Sequence, residues 1–215
     1  MTYITVYSGE KIDLLFPDKD KIHLKDIIHA LSNICRYTGH TPRFYSVGQH
    51  SLIGTNLILE YMNRLVEPED IYETAYMFLM HDAQEAYVGD VSSPLKDLIS
   101  KMPDNPKDFS NTDAMIRYDD LEKRFEKTIH EKYVLPLVGK RKYTKLLKIV
   151  QYADRAMYDL EIEYFQGTQR PKYTDWLPPI TAFDNILLSS PNSVEVMFET
   201  KRQKLVASIK EHSVP

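Results

Sequence analysis

The chain opens with a short extended pattern and then settles into a helical one. Residues 3–15, YITVYSGEKIDLL, set β-branched and aromatic residues on either side of a Ser8-Gly9 turn signal, which predicts a small hairpin. After that the apolar period is that of a helix. Ile27, Ile28, Leu31, Ile34 and Cys35 fall on one helical face, and the polar stretch Tyr37-Thr38-Gly39-His40-Thr41-Pro42 makes a turn. Ser46 followed by Gln49 is a capping-box pattern; the helix it starts has an inner face of Val47, His50, Ile53, Gly54, Leu57, Ile58 and Tyr61. The spacing next predicts a helix over 70–87, with Ala75, Phe78, Leu79, Asp82 and Glu85 on its stripe and Gly89 as its stop. Residues 100–113, SKMPDNPKDFSNTD, are polar with two prolines and read equally as a mobile lid or a surface loop. A long helix is expected through Met115, Leu121, Phe125 and Ile129 up to Pro136. Another is expected over 143–165, with Leu146, Leu147, Val150, Asp154, Met157 and Glu161 on one face, and a closing one over 194–211. Residues 166–191, which include Trp176, are rich in proline and aromatics and look irregular. The pattern therefore implies an all-α fold with a small N-terminal β-hairpin, in one domain over 1–215: a hairpin region 1–20, a helical core 21–165, and an irregular segment with a closing helix over 166–215.

Composition narrows the class. Hydrophobic residues make up 43% of the 215 and charged residues 27%, ordinary values for a chain with a real core. No stretch approaches the roughly 20 apolar residues of a membrane span, and MTYITVYSGEK lacks the basic start and apolar core of a secretory signal. A membrane location is not expected. The single cysteine, Cys35, excludes an internal disulfide framework and cysteine-built zinc clusters, and it fits a reducing cytoplasm. A net charge of −4 without a long basic run disfavours nucleic acid as partner.

The candidate chemistry lies where apolar stripes are interrupted. Three predicted helices place His50, the pair His81-Asp82, and Asp154 on inward positions. A buried carboxylate is unfavourable unless it is paired or bound to a cation. Two carboxylates and two imidazoles from separate helices point to a shared ion, and that donor mix suits a divalent transition metal: Co, Mn, Zn, Fe or Ni. Neighbouring helical residues diverge by about 100°, so His81 and Asp82 grip one ion only at the seam between their directions, with opposite ligands from elsewhere. Asp159 and Asp175 compete with Asp154 but follow the inward stripe less well. No further histidine cluster suggests a second metal centre.

His50, the His81-Asp82 doublet and Asp154 together resemble the H…HD…D signature of HD-superfamily phosphohydrolases. The segment HDAQEAYVGDVSSPLK, residues 81–96, resembles that of the YfbR-like 5′-deoxynucleotidases. ICRYTGHTPRFYSVGQHS, residues 34–51, is similar to the group that includes the dATP triphosphohydrolases of diaminopurine-using phages. The resemblance covers roughly residues 1–165. It implies an HD-domain helical bundle, with His50, His81, Asp82 and Asp154 as metal ligands. It implies Glu85 as the catalytic carboxylate that handles the water proton, Asp90 as a second functional acid, and Arg36 as a phosphate holder. It also implies Tyr37 against the base and Lys96 on phosphate, a nucleotide as small-molecule partner, Mg on the substrate phosphates, and a homo-oligomer in the cytoplasm of a bacterium or its phage-infected host. Physical chemistry favours these roles: a carboxylate four helical residues after His81 shares its face, and Arg and Lys neutralise phosphate brought into an acidic site.

The expected activity is hydrolysis of a deoxynucleotide, with a dNTP, dATP first, giving deoxynucleoside and triphosphate. The alternative within the class is a 5′-deoxynucleotidase acting on dNMPs. From another class comes a non-catalytic nucleotide or metal sensor, against which Glu85 and Asp90 argue. A cyclic-dinucleotide phosphodiesterase would need a Gly-Tyr-Pro element that is missing. His23, His29, His40, His130 and His212 are given no role.

Overall fold

The computed structural model describes residues 2–101, 118–168 and 177–212. Strands β1 (Tyr3–Thr5) and β2 (Lys11–Asp13) pair antiparallel, with Ile4 opposite Ile12. Gly9, at φ +89, turns the hairpin, and Asp26 fastens it to the first helix by accepting from the Ser8 backbone N–H (2.7 Å) and hydroxyl (2.9 Å). The rest is mostly helical. The first helix, α1 (Leu24–Asn33), ends before Ile34 and Cys35, so those two leave the predicted stripe. Cys35 and Ser46 instead form an isolated antiparallel bridge that closes the loop between them.

Helix α2 (Val47–Tyr61) begins with the expected capping box: the Ser46 hydroxyl accepts from the Gln49 N–H and the Gln49 side chain accepts from the Ser46 N–H. It is buried nearly all round, so it is the central helix of the fold. Helix α3 (Ile71–Leu79) packs along it. Gly54 makes this approach possible, because a Cβ there would overlap the Phe78 ring.

The predicted helix over 70–87 does not run through. It ends at Leu79, residues 80–84 form tight turns with bonds such as Ala83 N–H to Met80 C=O (3.2 Å) and Glu85 N–H to Asp82 C=O (3.0 Å), and a short α4 (Glu85–Val88) follows. Gly89, at φ +80, stops it as expected. Helix α5 (Ser93–Lys101) was not foreseen. The proposed lid lies almost wholly outside the described residues, as do Met115, Asp175 and Trp176. Helix α6 (Tyr118–Ile129) passes through one π-type turn (His130–Val134) into α7 (Leu135–Val138). The chain therefore leaves regular α geometry at Ile129, short of Pro136, and Pro136 sits in the first turn of α7, where its missing N–H is harmless. Helix α8 (Lys140–Gln166) matches its expected stripe, with Leu146, Val150, Met157 and Glu161 buried. The segment after residue 176 contains a 3₁₀ turn (Ile180–Phe183) and a short α9 (Asp184–Leu187), then α10 (Pro191–His212). Buried apolar residues from Ile12 to Ile209 form one cluster. Among the described residues, no helix is long and apolar enough to cross a membrane.

Candidate metal centre

Three elements that are remote in sequence meet at one point: α2, the turns over 80–84, and α8. His50 Nε2 lies 3.3 Å from His81 Nε2 and 3.2 Å from Asp154 Oδ1. His81 Nε2 lies 3.6 Å from the same Asp154 oxygen and 3.1 Å from Asp82 Oδ2, which is 3.8 Å from His50 Nε2. Donors about 2.1 Å from one ion stand roughly 3.0 Å apart at right angles and 3.4 Å at tetrahedral angles, and these separations lie on either side of the tetrahedral value and just above the right-angle one. His50, His81 and Asp154 form a group that could hold a metal ion.

The other ring nitrogens show why an ion fits. His81 Nδ1 is 2.6 Å from the Phe78 carbonyl, which only accepts, so Nδ1 carries the proton and Nε2 of a neutral ring presents a lone pair. His50 Nδ1 is 2.6 Å from Glu161 Oε1. Burial would push the Glu161 carboxyl up, but the charges of Arg36 and His50 and the bonds from His50 and Tyr37 hold it down at about 2. It is ionised, and His50 Nδ1 donates to it. Two imidazole lone pairs and two carboxylate oxygens thus converge, an arrangement that calls for a cation. With protons alone to supply the charge, the balance is strained. Burial pushes the His81 imidazole down, yet Asp82 and Asp154 raise it well above its ordinary value; His50, lowered by burial and Arg36, is raised overall by Glu161 and Asp154. Asp154, despite burial, is held far down by His50 and His81. Its side chain is 47% exposed, the most open of the four.

The loss of helix at residue 80 is what lets adjacent residues share a point. Within a regular helix His81 and Asp82 would diverge; the tight turns aim both at His50. Glu85 consequently does not sit one helical turn above His81. It opens α4 and is buried, with Oε2 making no hydrogen bond. Burial, then Asp82 and Asp90, push its carboxyl well up. Asp90 is also raised, by burial and Asp82, with Arg36 and Lys96 pulling the other way. Arg36 stands between Asp82 (Nη1 to Oδ2, 3.5 Å) and Glu161 (Nη2 to Oε2, 3.3 Å). Lys96, on α5, is paired with Glu122 at 2.7 Å, while Glu85 and Asp82 act on it electrostatically. The structure gives Tyr37 a partner the sequence reading did not: its hydroxyl donates to Glu161 Oε2 at 2.6 Å.

Sequence reasoning missed Glu161 and Tyr45 as site residues. Glu161 is fully buried and takes a hydrogen bond from Tyr45 at 2.7 Å as well. The signal was present: a glutamate on the buried stripe of α8, two turns after Asp154. Beside the cluster a cavity of about 120 Å³ is lined by His81, Asp154, Glu126 and His130 among others. A larger open cavity of about 380 Å³ shares only Glu126 and His130 with it and lies away from the candidate ligands.

A helical protein with a His-His-Asp group, built around the buried His50 and able to hold a metal ion, is the class these features define. No family model matches the sequence. The chain is 35% identical over 161 residues to the uncharacterized protein YfdR of Escherichia coli, a match covering 75% of this chain and 71% of the relative. It is 29% identical over 162 residues to the uncharacterized protein RCAP_rcc00048 of Rhodobacter capsulatus, covering 74% and 71%. The protein belongs to the family of YfdR.

Proposed function

We propose that the protein is a metal-dependent nucleotide phosphohydrolase of the HD superfamily, acting first on dATP to give deoxyadenosine and triphosphate. The observation that carries this is the convergence of His50 and His81 Nε2 with Asp82 and Asp154 oxygens, 3.1–3.8 Å apart where measured, beside a buried carboxyl with a free oxygen. His50, His81, Asp82 and Asp154 would hold one divalent ion, which when bound supplies Lewis acidity to a phosphate ester.

The chain's own groups divide the remaining work. Arg36, anchored by Asp82 and Glu161, still has donors to spare: its buried Nε makes no hydrogen bond. It orients a phosphate oxygen. Glu85, its carboxyl raised by burial and by Asp82 and Asp90, would take the proton of the attacking water. Asp90, also raised by burial, would pass that proton to the leaving oxygen. Lys96 adds positive charge next to Glu85 and reaches phosphate by exchanging Glu122. The 120 Å³ cavity is well under the roughly 300 Å³ of a small-molecule pocket, and Arg36, Glu85, Asp90 and Lys96 do not line it, so the nucleotide would lie outside it. A sensor that does no chemistry has no use for Glu85, buried with an unpaired oxygen.

The test is a chromatographic product screen of dNTPs and dNMPs with Co, Mn, Zn, Fe and Ni salts, with and without Mg, and with Asp82→Ala as control. Deoxyadenosine and triphosphate from dATP are expected. Phosphate released from dNMPs alone would move the assignment to a 5′-deoxynucleotidase, and nucleotide binding without turnover under every ion would end the enzyme reading.

A further inference from the structure

Four donors from two segments converge on the single carboxylate of Glu161, and they divide evenly between its oxygens. Oε1 takes His50 Nδ1 (2.6 Å) and the Tyr45 hydroxyl (2.7 Å); Oε2 takes the Tyr37 hydroxyl (2.6 Å) and Arg36 Nη2 (3.3 Å). One oxygen thus faces a candidate metal ligand and the other a candidate phosphate-holding arginine. We propose that Glu161 is a positioning residue that couples the two, so that cation and phosphate bind cooperatively through one shared carboxylate. This rests on the reading that His50 ligates an ion and Arg36 an anion.

The surroundings make the carboxylate a rigid link. Glu161 is fully buried, and its acceptor sites are filled, so it cannot rotate without stranding a buried donor. It stands on α8 two turns from Asp154, so the helix that supplies a ligand also supplies the clamp. The loop it holds is strained. Tyr37 and Thr38 adopt left-handed backbone at φ +55 and +52, unfavourable for a β-branched residue such as Thr38, and the loop is closed by the Arg36 N–H to Tyr45 C=O bond (2.9 Å) and the Cys35–Ser46 bridge. Strain of this kind persists only where neighbours over-determine the conformation, and the two tyrosine hydroxyls and Arg36 on Glu161 do so. When His50 is drawn to an ion, Glu161 moves with its Nδ1, and Arg36 with Glu161. By linkage, phosphate on Arg36 must favour the ion equally.

The test is calorimetric and needs no turnover. Co²⁺ and inorganic phosphate are each titrated into the full chain in the absence and presence of the other, alongside the Co²⁺ absorption spectrum. Phosphate should bind the wild type several-fold more tightly with Co²⁺ present. Glu161→Gln keeps volume but sets an amide N–H₂ against donors. It should weaken Co²⁺ about 10- to 100-fold and reduce the coupling factor to the part that the Arg36–Asp82 pair carries. Two milder variants guard against misfolding and split the effect. Tyr45→Phe should weaken Co²⁺ more than phosphate; Tyr37→Phe should weaken phosphate and spare Co²⁺. Unchanged affinities, spectrum and coupling in the two tyrosine variants, or in a folded Glu161→Gln, would overturn the proposal. Cooperative binding with no hydrolysis would sink the enzyme reading alone, and hydrolysis indifferent to Glu161→Gln would sink this one alone.

Discussion

His130 lies outside the cluster but lines the same small cavity as His81 and Asp154. It is buried at the start of the π-type turn, with Nδ1 2.6 Å from the Tyr143 hydroxyl. Burial pushes its imidazole down to about 4. The sign of the linkage follows. The unfolded chain takes up a proton on this ring below its ordinary pKa, about 6.5, while the folded chain does not until about 4. Its contribution to stability is therefore complete above pH 6.5 and is lost as pH falls from there towards 4. At pH 5 the loss is about 2 kcal/mol. Urea unfolding of wild type and His130→Gln at pH 7 and pH 5 checks this: the pH 5 to pH 7 difference should be larger in wild type by about that amount. Equal differences would mean that the ring is solvated or charged in the fold. His50 and His81 are raised rather than lowered, so their linkage has the opposite sign; comparing wild type with variant removes it.

At the scale of elements, what could be read from the sequence was what local chemistry decides. The Ser46–Gln49 cap, the Gly89 stop, the hairpin and the long stripe of α8 each depend on residues within a few positions of one another. The end of α3 at Leu79 does not. Met80 to Gln84 contain no breaker, and the chain leaves the helix there because His81 Nδ1 is held to the Phe78 carbonyl and both His81 and Asp82 are drawn towards His50. The pull towards His50 is a tertiary effect that no neighbouring residue announces, and for the same reason the Lys96–Glu122 pair could not be foreseen. Gly54 shows the same coupling in reverse. It reads as one more residue of the α2 inner face, but it is the gap into which Phe78 fits, and the Phe78 ring lies 4.4 Å from that of His81 and 5.6 Å from that of His50. Gly54→Ala should gain about 1 kcal/mol in helix propensity and lose more by forcing Phe78 aside, for a net destabilisation of about 1–3 kcal/mol. Because the displaced ring touches both histidines, Co²⁺ affinity should fall with it. A thermal melt and a metal titration on the same sample check the two together, and a variant as stable and as tight for Co²⁺ as wild type would show that α2 and α3 do not need this close approach.

For the whole molecule, the centre is a cross-link between distant parts of the chain. His50, His81 and Asp154 lie on α2, on the turns after α3 and on α8, elements that pack on one another and contribute buried residues such as Ile53, Phe78 and Val150 to one apolar cluster. The apolar core therefore brings the ligands close, and the price is a cluster of buried charge that only partly cancels without a cation. An ion bound only by the folded state at a free concentration of 100 times its Kd adds about 2.7 kcal/mol, which for a chain of this length is a rise in melting temperature of roughly 5–10 °C. Calorimetric scans of the wild type with excess Co²⁺ and with chelator should differ by that much. Asp154→Asn should erase most of the difference and also lower the chelator-treated melting temperature, because the ionised Asp154 that His50 and His81 hold far down stabilises the metal-free fold. A wild type indifferent to Co²⁺ would mean that the donors reach their separations through protons and hydrogen bonds alone. The ion would then have no part in the fold, and the proposed chemistry would lose its foundation.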